Sequence, residues 1–380
     1  MKSVLLEFLT TDEKTIIFVI RQDWEERYIK DDEPIVFEAK FNEEDVLECV
    51  KEIRDLYSEW KEHNYERKYL EHIKLEKRTK FYEIGNKIFS DELMSDIEGY
   101  ELIYFVPFSA LHHLPLHAMR YKDRDIIDSF ACSYLPSASV LQFVNKSKER
   151  PKEFNFKGIG VDFKDSKNSF EFVSEIIDLS YEDYFTKSID YLGEDATKEN
   201  FFRNNEDYNI FHCSSHGYAS KENPMKSSIM LYMPPNILKE LQQSKDLSEY
   251  YKKIENDQKV ANTTVTVDNL VKEFKGNFEL VFLSACVSGE NKNEAGDELI
   301  GLSRGLFYSG TKSMILTLFN SFTGVTNSQD THIRFFYEDW IENKQSKSRA
   351  FQSYICRIKS NKDFKHPFYW FVYVFIGNPY

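Results

Sequence analysis

Short apolar runs alternate with polar, helix-spaced stretches along most of the chain, and the rhythm changes near Gly99. Before that point, residues 3–9 and 15–20 read as strands flanking Thr11-Asp12-Glu13, a hairpin turn. Residues 43–70 then carry Val46, Val50, Ile53, Tyr57 and Trp60 at helical spacing, and a second helix is predicted over 80–89. The first seventy residues thus hold two or three strands and a long helix.

Beyond Gly99 strands and helices take turns. Residues 102–106 are apolar and stop at Pro107, 158–161 form a short strand, and 170–177 a helix. Residues 195–201 look like a helix start with Thr197 as its cap. Strands are predicted over 208–215, 279–285, 312–319 and 368–376. This order argues for an α/β fold, a mostly parallel sheet with helices on both faces, preceded by a hairpin-plus-helix region. No repeat with a period of about 20 to 50 residues is visible, which argues against a solenoid. One stretch breaks the rhythm: residues 234–261 are polar with a modest helical signal, reading either as a solvated insertion or as a cleavable or activator-binding loop.

Composition narrows the class. With 380 residues, 41% of them hydrophobic and 16% aromatic, the chain can bury a large core. Lys and Arg total 49 against 63 Asp and Glu, a formal net charge of −14, so nucleic acid is not expected as a direct partner. Five cysteines (Cys49, Cys132, Cys213, Cys286, Cys356) are widely spaced, odd in number and lack a CxxC, which fits reduced thiols in a cytoplasm. No signal peptide is read at the N-terminus, and the apolar run 368–376 is shorter than the roughly 20 residues a membrane helix needs, so no membrane partner is expected.

The candidate chemistry lies where two apolar strands end. Residues 208–215 lead into His216-Gly217, and 279–285 lead into Cys286. Open α/β sheets bind ligands at the carboxyl ends of their strands. A thiol and an imidazole there are the pair that thiol-dependent acyl transfer requires. Taken one at a time, each has a plainer explanation: a strand-end cysteine packs as a small hydrophobe, and a core histidine is commonly just hydrogen-bonded. Small neighbours Ser284, Ala285, Ser288 and Gly289 leave room for a substrate backbone beside Cys286. Strand alternation puts His212 and Ser214 on the face shared with His216, so His212 is a candidate to support the site. A zinc site from Cys213, His216 and Cys286 lacks paired ligand spacing, and no metal or organic cofactor is expected. His112, His113 and His117, set among Pro107 and Pro115, suggest a metal by composition alone.

With these residues in view, the chain resembles the CHAT family, caspase-like peptidases of the caspase and separase clan. Residues 211–217, Phe-His-Cys-Ser-Ser-His-Gly, look like its histidine block, and 281–289, Val-Phe-Leu-Ser-Ala-Cys-Val-Ser-Gly, like its Ser-Ala-Cys block. Residues 298–310 are similar to the helix that follows, 106–116 to a strand-and-turn signature, and His366-Pro367-Phe368-Tyr369-Trp370 with Ile376-Gly377 to the C-terminal strand. The five blocks stand in family order. The resemblance implies a lead-in region over 1–95 and a caspase-like core over 96–380. It also implies Cys286 as nucleophile, His216 as general base and acid, and the backbone amides of Gly217 and Cys286 as oxyanion hole. Within it the three histidines 112, 113 and 117 belong to a structural turn, and Ser284, Asp162 and Asp297 are candidates for supporting the site or binding substrate. Clan members that cut after basic residues carry an acid where Ser284 stands. Leu318-Phe319-Asn320-Ser321-Phe322 lacks the Trp that relatives usually carry. By the same resemblance the substrates are specific proteins, such as a gasdermin-like or other guarded protein. A separate sensor or activator protein is expected as partner, and bacterial defence or programmed cell death as the setting. The competing expectations are a non-catalytic caspase-fold module that transmits a sensor signal, and a cysteine hydrolase or transferase acting on a small molecule.

Overall fold

The structure, a computed structural model, describes residues 1–22, 35–63, 66–144, 150–161, 179–180, 182–215, 217–218, 224–242, 262–285, 297–318 and 332–380. In chain order the strands begin with β1 (Ser3–Thr10), β2 (Thr15–Gln22), β3 (Ile35–Ala39), β4 (Leu102–Val106), β5 (Arg120–Tyr121), β6 (Arg124–Asp125), β7 (Ala131–Tyr134) and β8 (Asn155–Gly160). They continue with β9 (Lys187–Leu192), β10 (Ile210–Ser215), β11 (Gly217–Tyr218), β12 (Ser228–Met230), β13 (Thr264–Thr266), β14 (Leu280–Ala285), β15 (Ser313–Thr317) and β16 (Tyr373–Gly377). The main helices are α1 (Glu43–Glu62), α2 (Phe81–Ile88), α3 (Lys198–Phe202), α4 (Pro235–Gln242), α5 (Val267–Glu273), α6 (Asp297–Tyr308), α7 (His332–Ile341) and α8 (Lys347–Ser360). The fold is α/β, built on mostly parallel sheet with helices on both faces and an N-terminal hairpin followed by α1. By internal contacts the chain divides into two units, Met1–Glu149 with Lys292–Gly296 and His332–Tyr380, and Arg150–Asn291 with Asp297–Thr331.

The first unit carries strands in the order β3-β2-β1-β4-β7-β16. β1, β4, β7 and β16 are parallel, and the β1–β2 hairpin with β3 adds antiparallel strands at the edge. Thr11 shapes the expected hairpin turn: its hydroxyl donates to the Lys14 carbonyl at 2.7 Å and accepts from the Lys14 amide at 3.1 Å. α1 starts on a reciprocal cap, with Asp45 N–H donating to Asn42 Oδ1 at 3.0 Å and Asn42 N–H to Asp45 Oδ2 at 3.2 Å. It stops at Glu62 instead of running on to residue 70, and a separate short helix, Arg67–His72, follows. Buried Trp60 supports the break by donating its indole N–H to the Glu66 carbonyl at 3.2 Å. The run 368–376 is likewise only part strand. Pro367–Tyr369 forms a tight turn capped by His366, and Phe368 packs against Trp60 with ring centroids 6.0 Å apart.

In the second unit the order is β15-β14-β10-β8-β9, all parallel. β10 is buried along its whole length, as expected of a strand covered on both faces. Its Phe211 joins Phe201, Phe274 and Phe278 in an aromatic cluster with successive ring centroids 4.8 to 5.0 Å apart. α3 begins where Thr197 caps it, its hydroxyl accepting the Asn200 N–H at 3.2 Å. Of the polar stretch 234–261, residues 235–242 form α4, and most of the remainder lies outside the described residues, as does the helix predicted over 170–177.

Candidate active site

Two neighbouring strands carry the candidate residues. β10 and β14 pair in parallel with His212 opposite Phe282, Cys213 opposite Leu283, Ser214 opposite Ser284 and Ser215 opposite Ala285. β10 ends at Ser215 and β14 at Ala285, one residue before His216 and one before Cys286 respectively. His216 and Cys286 themselves, with Asp162, lie outside the described residues. Large apolar side chains along both strands give way at this end to Ser214, Ser215, Ser284 and Ala285.

A three-stranded sheet, β11-β12-β13, adjoins this end. Half-buried Gly217 opens β11 and pairs with Ile229 of β12. The Ser215 hydroxyl donates to the Met230 carbonyl in β12, tying the last residue of β10 to the smaller sheet. The sequence signal for this tie is the Ser214-Ser215 pair before His216.

His212 is fully buried, stacked on Phe282 at 4.4 Å, with Nε2 3.3 Å from Ser214 Oγ. Burial pulls its pKa down to about 3, so the ring is neutral at physiological pH. It can hold Ser214 in place but cannot supply a proton at neutral pH. Ser284 is buried as well, and its hydroxyl has no hydrogen-bond partner among the described residues. Asp297 is the first residue of α6.

Of the three residues of the zinc reading, only Cys213 is described. Cys213 is wholly buried, and burial pushes its thiol up to about 12, which makes it a packing residue and a poor ligand donor. Among the described residues no cluster of His, Cys, Asp and Glu could hold a metal ion. His113 and His117 are buried in the turns Ser109–His113 and Leu116–Ala118 that follow β4. His117 Nδ1 lies 2.9 Å from the Tyr134 hydroxyl, which also accepts the His117 backbone N–H at 3.0 Å. Burial first, and the Lys359 charge second, hold the His117 pKa at about 3. A neutral imidazole wedged against β7 is a structural plug.

Residues 83–378 match the CHAT domain family. The chain belongs to that caspase-clan family. No curated protein matches it. The CHAT match contains β10, β14 and every candidate residue named above, as well as the turns that bury His113 and His117. Among the described residues Cys132, Cys213 and Cys356 of this CHAT domain, and Cys49 ahead of it, form no disulfide. No described helix is long and apolar enough to cross a membrane.

Proposed function

We propose that the protein is a cysteine endopeptidase that cleaves specific protein substrates through Cys286 and His216. The supporting observation is the in-register pairing of β10 and β14, which ends with Ser215 opposite Ala285. Parallel neighbours lie about 4.8 Å apart and one residue spans about 3.8 Å, so chain connectivity keeps the Cα atoms of the next two residues within about 12 Å. A cysteine and a histidine side chain can meet across all but the widest of those separations. Small residues before Cys286 leave space for a peptide.

In the reaction the Cys286 thiolate attacks the scissile carbonyl, and the carbon–sulfur bond forms as the carbonyl π electrons move to oxygen. The backbone N–H groups of Gly217 and Cys286 receive that oxyanion, each worth about 3–4 kcal/mol. Collapse expels the amine, which takes a proton from the His216 imidazolium. Water then attacks the acyl-enzyme, His216 accepts its proton, and the acid product leaves as the thiolate is regenerated. His212, neutral and stacked, and Ser284 support the strand ends and take no proton in this sequence.

Family membership carries the remainder of the reading: guarded or gasdermin-like protein substrates, a separate sensor or activator, a cytoplasmic setting, and a part in defence or programmed cell death. The domain reading of a lead-in over 1–95 and a core over 96–380 belongs with it. Mapping new N-termini in cells making the protein or its Cys286→Ala variant tests the assignment. Cleavages present only with the parent chain support it; identical N-termini in both would assign the fold a binding role.

A further inference from the structure

Strand β2 reads Thr-Ile-Ile-Phe-Val-Ile-Arg-Gln, an apolar run without alternation. Such a run belongs to a strand covered on both faces. Only one face of β2 is covered. Ile17 and Val19 on that face are 2% exposed or less, as are Leu6 and Phe8 opposite them in β1. On the other face Ile16, Phe18 and Ile20 are half-buried, and Leu9 and Val36 at the margins are 37% and 51% exposed.

The strand register makes these residues one surface. Leu5 stands opposite Ile20, Glu7 opposite Phe18 and Leu9 opposite Ile16 across β1 and β2, and Val36 of β3 is opposite Phe18. Side chains alternate between faces along a strand, so all of these share one face. It is closed at Leu5, which is buried, and opens toward Leu9 and toward β3, the outermost strand of the sheet. The solvated face of antiparallel strands ordinarily carries polar side chains. Two carboxylates interrupt the apolar residues here. Glu38, opposite Ile16, is held by the Lys14 amine. Glu7 is half-buried between Leu5 and Leu9 along β1, and its carboxylate has no hydrogen bond or ion pair among the described residues.

We propose that this face of β1, β2 and β3 docks an amphipathic helix of a partner protein, its apolar side over Phe18 and a Lys or Arg paired with Glu7. Three strands span about 10 Å, and one helix with its side chains, about 10–12 Å across, covers them. Residues 16–20 extend about 14 Å, the length of about nine helical residues. Helices are the elements that cover sheet faces in α/β folds. Charge selects the occupant. Covering Glu7 without a cation leaves a carboxylate unpaired in apolar surroundings, which is costly. A second copy of the chain brings another Glu7 and a further net charge of −14, and fits less well. A basic helix meets both demands. The surface lies within the first unit, and its use does not depend on whether Cys286 is a nucleophile.

The probe is a display library of helical peptides about four turns long, apolar on one side and randomised elsewhere and at one central position of that side, selected on the full-length protein. Enriched peptides are expected to carry Lys or Arg at the central position. By fluorescence anisotropy their Kd should rise at least about tenfold on Phe18→Ser and on Val36→Asp, and about fivefold on Glu7→Gln. Leu47→Asp, at a residue 47% exposed on α1, should leave Kd within about twofold. Should Phe18→Ser fail to fold, Val36→Asp decides, because that side chain already stands half in solvent. Failure to enrich any peptide overturns the proposal, as does enrichment of acidic or uncharged ones, or binding indifferent to Val36→Asp and Glu7→Gln. A parent chain that light scattering shows to be dimeric, and that Val36→Asp makes monomeric, would assign the face to a second copy and overturn the helix.

Discussion

In the first unit, β4 runs at its carboxyl end into turns packed with Leu111, Leu114, Leu116, His117 and Met119, all fully buried, and Tyr134 at the end of β7 meets them. In the second, β10 and β14 end on Ser214, Ser215, Ser284 and Ala285, which are small. Both places are strand ends of parallel sheet, the position at which α/β folds build sites. The first is closed by side chains, and the Tyr134 hydroxyl fastens His117 inside it. The second ends in small side chains, of which Ser214, Ser215 and Ser284 are buried. Parallel topology offers several places for chemistry, and the two strand ends differ in the size of the side chains that occupy them. Each region also holds a buried histidine kept neutral, His117 in one and His212 in the other, so a histidine near a strand end is not by itself a catalytic signature.

The largest effect that separates the two regions is on turnover. Cys286→Ala should lower cleavage of a verified substrate by at least about 10³-fold, while Cys132→Ala in β7 should leave it within about twofold. Both variants should lose no more than about 1–2 kcal/mol of stability. Comparable losses of activity from both substitutions would erase the distinction.

Alkylation ranks next. Burial raises the thiols of Cys49 and Cys132, pushes Cys213 up to about 12 and, with the Asp128 charge, brings Cys356 to about 11. At pH 8 Cys213 is therefore a thiolate in roughly one molecule in ten thousand. Iodoacetamide should modify Cys286 more than about 100-fold faster than the other four, as read by peptide mass mapping, and chelators should leave activity intact. Faster labelling at Cys213 would contradict this.

Much of this arrangement is legible in the sequence, and the parts that are not share a cause. β10 and β14 announce themselves as apolar runs ending in small residues, and Thr197 and Thr11 mark a helix start and a turn by local chemistry that needs no partner. The strand predicted from residue 158 begins at Asn155, because a lysine at 157 reads as a boundary. Only the oxygens supplied by residues 201–205 make its burial tolerable, and those are about 45 positions away in sequence. β7 escapes the sequence pattern for a similar reason. Ala131-Cys132-Ser133-Tyr134 is short and half polar, and its Ser133 hydroxyl is satisfied by the Gly377 carbonyl at 2.7 Å. Residues 43–70 have helical periodicity throughout, but the hydrogen bond from Trp60 to Glu66 accompanies a break that periodicity does not report.

Acid should weaken both regions, by a smaller amount. A histidine whose folded pKa is about 3 binds fewer protons than its unfolded counterpart between that value and its usual 6.5, so stability is lost as pH falls through this window. Urea midpoints should decline from pH 6.5 to 4.5, and His117→Leu should decline less steeply than the parent chain. Equal declines would show that His117 titrates normally.

The smallest expected change is a gain. Ser284→Ala removes a buried hydroxyl without a described partner and should raise stability by up to about 1 kcal/mol, measured as an increase in Tm. A loss of more than about 1 kcal/mol would mean that the hydroxyl is satisfied in solution.

Covalent capture by an electrophilic peptide probe tests the central claim most directly. Intact-mass analysis of the parent chain should show one equivalent of probe, mapped to Cys286. Cys286→Ala should take up none, and His216→Ala should react at least about 100-fold more slowly. Stoichiometric labelling that persists in Cys286→Ala, or that proceeds equally fast without His216, would contradict the pairing of these two residues at the ends of β10 and β14.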